Sequence, residues 1–309
     1  MAADSTSTVF IHGVQKSATS TLVGLLNSHP DIFILYETML HQQNISKYGN
    51  QLLASCPEAR ECFKLTGDIS EPYLKLADLL EEKLGKRYAY VGDKFLSFNA
   101  YAAQPEANKV IFIMRDIRTW AAKPAIRDIY RTDIDLVRPA IGYLKYIINA
   151  RRTQKTLCLR MEDMVKDSAW LAREIGDYLG LKFDEQGWWK NVGQYAVDDP
   201  KSWQSWYKTH PSATVAPKKF DMKVELAQHP FWDEFLPVFD KYYSHNTGKA
   251  VNEKEALKDL EFIESLARYS CLPYNQLYNE INQTQLSSIK TSYKVGKKLK
   301  KVLRAISPR

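Results

Sequence analysis

The chain has 309 residues, 45% of them hydrophobic and 26% charged, the balance of a soluble protein with a sizeable core in one large or two unequal domains. No run approaches eighteen apolar residues, which excludes a membrane-spanning helix. The net charge of +7 is a local property: eight of the 43 Lys and Arg fall in Lys290–Arg309 with no acid, leaving 35 basic against 36 acidic residues elsewhere, which argues against a nucleic-acid-binding body.

The four cysteines, Cys56, Cys62, Cys158 and Cys271, form no C-x-x-C and no metal-ligand spacing, so they read as reduced thiols and no metal is expected. With no signal peptide ahead of the first strand, the expected location is cytoplasmic.

In chain order, Val9–Ile11 reads as a buried strand. Gly13 and a turn follow, and apolar residues at Leu22, Val23, Leu25 and Leu26 then mark a helix that stops at His29–Pro30. The turn carries Lys16 and four hydroxyls, Ser17, Thr19, Ser20 and Thr21, where the first N–H groups of the helix point outward. Backbone donors, helix dipole and one cation make an anion site. Asp31–Tyr36 reads as a second strand ended by Glu37, and residues 38–70 as loop and irregular helix. Pro72–Leu84 reads as a helix with Gly85 as its stop, Tyr88–Val91 as a third strand leading into Gly92-Asp93-Lys94, and Lys109–Met114 as the clearest buried strand, closed by Arg115. Helices are expected at 117–130 and 134–152, a fifth strand at Thr156–Arg160, and a helix at 165–179 ending at Gly180. Beyond 181 the pattern is helical or irregular. Trp188, Trp189, Trp203 and Trp206 crowd together there as core packing or a sugar-stacking surface, and 252–283 reads as one or two helices.

Strands alternating with helices predict an α/β fold, a parallel sheet flanked by helices, whose ligands bind at the carboxyl ends of the strands. Lys16, Glu37, Lys94 and Arg115 each follow directly on a predicted strand, which gathers four charges on one sheet edge.

The turn is not the ordinary ATP loop, because the Walker glycine positions hold Phe10 and Gln15. The pattern G-x-x-K-S-x-T-x-x-L followed by H-P resembles the 5'-phosphosulfate loop of the PAPS-dependent sulfotransferases, bacterial and carbohydrate type, which carry glycine where this chain has Ala18. Lys109–Tyr130 resembles that family's strand ending in an arginine, with a serine eight residues later; arginine and serine together hold the 3'-phosphate of PAPS. Here Arg115 matches and Lys123 stands at the serine position, with Arg118 and Arg127 as nearby substitutes. VGDKF at Val91–Phe95 is similar to a segment whose lysine, here Lys94, faces the reacting sulfate. LRMEDM at Leu159–Met164 is similar to a largely structural segment at a strand-to-helix junction.

The resemblance covers about residues 8–180. It implies a P-loop-like sulfotransferase domain at 1–248, before a helical extension at 249–289 and a basic tail at 290–309. It also implies transfer of a sulfuryl group from PAPS to a hydroxyl of a carbohydrate or glycolipid, without metal, releasing PAP. Donor contacts fall on Gly13, Lys16, Ser17, Ala18, Thr19, Ser20, Thr21, Arg115 and Lys123. The catalytic set is Lys16, Lys94 and Glu37 as base, with Glu71, Asp93, His12 and His41 in reserve. The competing readings are a kinase or nucleotidase using ATP and magnesium, and a non-catalytic nucleotide-binding member of the fold.

In the tail, Val295, Leu299, Val302 and Ile306 share one helical face while Lys297, Lys298, Lys301 and Arg304 occupy the rest, the pattern of a helix lying on an anionic membrane.

Overall fold

The computed structural model describes residues 5–35, 56–63, 69–96, 108–153, 155–183, 229–244 and 251–270. Glu37, His41, the tryptophan cluster of 188–206 and the tail at 290–309 lie outside the described residues.

A sheet of five parallel strands forms the centre, β1 Ser7–Gly13, β2 Ile32–Ile34, β3 Tyr90–Phe95, β4 Asn108–Met114 and β5 Thr156–Arg160, in the order β2-β3-β1-β4-β5. The helices are α1 Thr19–Leu26, α2 Pro57–Cys62, α3 Glu71–Leu84, α4 Ile117–Ala121, α5 Pro124–Arg127, α6 Asp133–Arg152, α7 Met161–Lys166, α8 Ser168–Leu179, α9 Pro230–Tyr243 and α10 Glu253–Ser265. The expected parallel sheet flanked by helices is therefore the architecture observed.

Burial on both faces explains the apolar runs in β1, β2, β4 and β5. On one face Val9, Ile11, Ile111, Ile113, Leu157 and Leu159 pack with Leu22, Leu25 and Leu26 of α1 and with Leu171 and Ile175 of α8. On the other, Phe10, Phe33, Val91 and Phe95 pack with Tyr73, Leu76, Ala77 and Leu80 of α3.

Three expected elements are corrected. The helix expected over 117–130 is two short helices. Pro124 holds Lys123 in extended backbone (φ −64°, ψ 132°), so α4 ends and α5 restarts with the proline in its first turn. The helix expected at 165–179 breaks at Asp167 (φ −141°), whose carboxylate caps α8 by accepting from the Trp170 N–H at 2.8 Å. The third strand starts at Tyr90 rather than Tyr88 and contains Gly92, Asp93 and Lys94 rather than ending before them. Strand β1 runs so close to Gly92 that a Cβ there would lie 1.6 Å from the Val9 carbonyl oxygen. Asp93 is wholly buried, yet its carboxylate accepts from the Tyr73 hydroxyl at 2.9 Å and from the Lys94 N–H at 2.7 Å, which lets a charged pair of residues sit inside a strand.

Helix α9 carries Phe231, Phe235, Phe239 and Tyr243 at intervals of four, and each ring stacks on the next at 5.0, 6.0 and 5.2 Å. Helix α10, from the expected extension, is held by ion pairs of Glu253 with Arg152, Glu264 with Lys145, and Glu255 and Asp259 with Lys241. The chain divides into two compact units, 1–266 and 267–309, and of the second only 267–270 are described. Among the described residues no helix is long and apolar enough to cross a membrane.

The turn between α1 and β2 makes stability depend on pH. The His29 Nδ1 accepts from the Asp31 N–H at 3.1 Å, and its Nε2 donates to the Lys182 carbonyl at 3.2 Å. Burial is the largest influence and pulls its pKa below the ordinary 6.5, against opposing pulls from Asp31 and the Lys182 carbonyl. The unfolded chain then takes up the proton first, so the stabilisation is complete above that ordinary value and is lost as pH falls through the folded-state value. In urea unfolding, the stability advantage of the natural chain over His29→Gln shrinks between about pH 7 and about pH 5. An advantage that grows on acidification would show the ring to be bound as imidazolium.

Candidate anion site at the carboxyl ends of β1 and β4

The strand order sends the chain from β1 towards β2 on one side and from β4 towards β5 on the other. The crevice of such a sheet therefore opens between the carboxyl ends of β1 and β4. The two segments that leave those ends carry Lys16 and Arg115.

The first segment is a compact turn. A Cβ on Gly13 would meet Thr19 Cγ2 at 2.6 Å, Ser17 Oγ at 2.8 Å and Ile113 Cγ2 at 2.9 Å, so only glycine lets the turn fold back over the strand end. The Ser17 side chain and backbone N–H both donate to the Val14 carbonyl, at 2.7 and 3.2 Å. The serine hydroxyl expected to donate to a phosphate therefore spends its proton inside the turn. Lys16 (φ 69°) and Ala18 (φ 70°) are left-handed on either side of it. Ala18 occupies the position before α1 and has no side-chain acceptor for the N–H groups of the first turn. The positive end of the helix dipole thus faces the crevice without the polar side chain that ordinarily covers it. Thr19 is buried, Ser20 and Thr21 are partly exposed, and Lys16 is exposed.

Two side chains from the second segment fix the turn. Trp120 Nε1 donates to the Gln15 carbonyl at 2.9 Å, and Arg115 Nη1 donates to the Lys16 carbonyl at 3.3 Å. In a trans peptide the N–H points opposite its carbonyl, so anchoring the Gln15 oxygen on Trp120 turns the Lys16 N–H away from the protein side. Arg115 is 5% exposed. Burial lowers its pKa and Glu162 opposes this, but an arginine starts so high that the group stays charged. Its own backbone is clamped: the Tyr143 hydroxyl accepts from the Arg115 N–H and donates to the Arg115 carbonyl, both at 2.6 Å.

The other expected site residues are placed as follows. Lys94 is 1% exposed and lies in register with Ile11, on the sheet face that α1 covers. Lys123 starts α5 and is partly buried, and its N–H donates to the Trp120 carbonyl at 3.1 Å. Arg118 is committed elsewhere. It makes a bidentate pair with Asp240 of α9, 2.8 Å at each oxygen, and this bond raises its pKa. Asp93 accepts from the Tyr73 hydroxyl and the Lys94 N–H. His12 is buried and stacked on Phe95 at 5.1 Å, and Glu71 pairs with Lys75 at the start of α3. Glu162 and Asp163 of the LRMEDM segment bind protein groups, including Asp163 to Arg160 at 2.5 Å. Trp120, Thr119, Tyr143 and Asp240 were not legible as site residues, because no local pattern in the sequence marks them. Among the described residues no cluster of His, Cys, Asp and Glu is gathered that would hold a metal ion.

No family model matches the chain. No curated protein matches it either. Among solved structures it is similar to the sulfotransferase domain of the curacin biosynthetic pathway (15% identity, 88% of this chain and 100% of that chain, TM-score 0.43). It is also similar to the sulfotransferase domain of the Synechococcus PCC 7002 olefin synthase (16%, 88% and 98%, 0.41). A third is a mouse sulfotransferase complexed with PAP (13%, 85% and 88%, 0.42). Likenesses of this size carry no argument about the reaction, which rests on the chain's own residues.

The left-handed Ala18 carries a strain of about 1–2 kcal/mol, against about 0.4–1 kcal/mol for the extra freedom a glycine has in the unfolded chain. Ala18→Gly is therefore expected to stabilise the protein by about 0.5–1 kcal/mol in chemical denaturation, and Ala18→Val to destabilise it. A glycine variant clearly less stable than the natural chain would contradict the left-handed turn.

Proposed function

We propose that the chain is a sulfotransferase that moves a sulfuryl group from PAPS to a hydroxyl of a carbohydrate or glycolipid. The observation that carries the reading is the meeting of two cationic segments at one crevice, with Arg115 donating to the carbonyl of Lys16 itself. A donor with a 5'-phosphosulfate and a 3'-phosphate needs two separate anion-binding points, and the lysine turn and the strand-end arginine supply them.

In this reading the uncapped start of α1 and the Lys16 ammonium bind the 5' end. Lys16 stabilises the charge that grows on the 5'-phosphate oxygen as its bond to sulfur breaks. Arg115 holds the 3'-phosphate through its planar fork, and Lys123 adds a point charge. Lys94, inside β3 on the α1 side, faces the sulfuryl group. Glu37 takes the proton of the acceptor hydroxyl as its oxygen bonds to sulfur. The products are a sulfate ester and PAP. The neutral SO3-like group in flight has less charge to offset than a phosphoryl group, and lysines and N–H groups suffice for it. The amphipathic tail would seat the enzyme on an anionic membrane from the cytoplasmic side, where a lipid-linked sugar is the natural acceptor.

The decisive comparison is thermal stabilisation by PAP against ATP with magnesium, since a ligand of the native state raises its midpoint. PAP is expected to stabilise. Stabilisation by ATP–magnesium alone would replace the reading with a kinase. With a working acceptor, Lys16→Ala is expected to lower turnover by about 10²–10³ while the protein remains folded, and near-normal turnover would remove Lys16 from the mechanism. Glu37→Gln is expected to lower turnover with PAP affinity unchanged; full activity would move the base elsewhere.

A further inference from the structure

Arg115 is held at the end of a chain of side chains that begins on α9. Its Nε donates to Thr119 Oγ1 at 2.9 Å. The threonine hydroxyl, already an acceptor, directs its single proton to the Asp116 carbonyl at 3.0 Å or to Glu162 Oε1 at 3.3 Å. That same carboxylate oxygen accepts from the Asp116 N–H at 3.1 Å, so Glu162 binds the backbone of the turn that carries Arg115 and lies within hydrogen-bond reach of its threonine hydroxyl. Its other oxygen accepts from the hydroxyl of Tyr243, the last residue of α9. Burial and the adjacent carboxylate push that phenol far above the ordinary tyrosine range, so it remains a donor. One helical turn earlier, Asp240 grips Arg118. Two residues of a single helix face thus brace the turn Arg115–Thr119, one through Arg118 and the other through Glu162.

We propose that Glu162 and Tyr243 are positioning residues for Arg115: the tyrosine orients the carboxylate, and the carboxylate orients Thr119 and, through it, the guanidinium. Neither residue touches the donor. Helix α9 is more than 100 positions from Arg115 in sequence, and through this brace it sets the geometry of one of the two anion points. The inference rests on the assignment of Arg115 to the 3'-phosphate.

The test uses the full chain and two single changes, Tyr243→Phe, which removes one oxygen, and Glu162→Gln, which keeps the shape and removes the charge. Each is titrated calorimetrically with adenosine 3',5'-bisphosphate and with adenosine 5'-phosphosulfate, which lacks the 3'-phosphate. Exchange of the Arg115 Nε–H with water is followed by NMR in the absence of ligand. Affinity for the bisphosphate is expected to fall about tenfold, the size of an ordinary coupling between contacting side chains, while affinity for the phosphosulfate stays within about twofold. The Nε–H is expected to exchange faster. A general loss of packing would weaken both ligands alike. Equal weakening, or no change in either ligand with unchanged exchange, overturns the proposal. If Glu162→Gln does not fold, Tyr243→Phe decides alone. If the natural chain binds no bisphosphate, the nucleotide reading fails, and the exchange measurement still decides whether α9 holds Arg115.

Discussion

One buried phenol decides the course of the chain after β4. The Tyr143 hydroxyl bonds to both the N–H and the carbonyl of Arg115, so the backbone leaving the strand is satisfied by a side chain of α6 and not by a neighbouring strand. Losing a hydrogen bond to a buried backbone group costs of the order of 1–3 kcal/mol. With that pair of bonds in place, Arg115 turns back towards the Lys16 loop, Asp116 caps α4, and Trp120 comes within reach of Gln15. The Tyr143 ring is itself wedged between Trp120 and Phe239, at 5.6 and 6.2 Å, which ties the candidate site to the aromatic packing of α9.

The lysine turn shows the same economy. Lys16 and Ala18 sit in a backbone region that costs an L-residue about 1–2 kcal/mol each. Such strain persists only where the surroundings over-determine the conformation. Here the absent Cβ of Gly13, the doubly bonded Val14 carbonyl and the two anchored carbonyls of Gln15 and Lys16 leave the turn little choice. A loop held in this way meets an anion with its donors already oriented, which is how fixed dipoles become effective in catalysis.

The parts of this architecture that the sequence revealed are the parts fixed by short-range pattern. Strands β1, β4 and β5 are apolar runs because both faces of the sheet are covered, and Lys16 and Arg115 follow them directly. Strand β3 was cut short because Gly92-Asp93-Lys94 has the residue types of a turn. Only the close approach of Val9 and the reach of Tyr73 make those residues strand. Helical periodicity carried through Pro124 and Asp167, where single residues interrupt it. The supports of the site were invisible for a different reason. Trp120 and Gln15 are separated by 105 positions and Arg118 and Asp240 by 122, and no local pattern announces such partners.

The placement of β1 bears on how the molecule comes into being. It precedes the other four strands in sequence and lies in the middle of the finished sheet, hydrogen-bonded to β3 on one edge and β4 on the other. Those neighbours are made only when synthesis reaches Tyr90–Phe95 and Asn108–Met114, so the nascent chain must carry a strand with an apolar centre, Val9–Ile11, and both edges open in the interval. Long-range parallel pairing of this kind is intrinsically slow. The early partner for that strand is α1, which follows it at once and covers one of its faces with Leu22, Leu25 and Leu26. The segment that carries the candidate anion site is thus also the segment whose prompt folding shields the growing chain from aggregation.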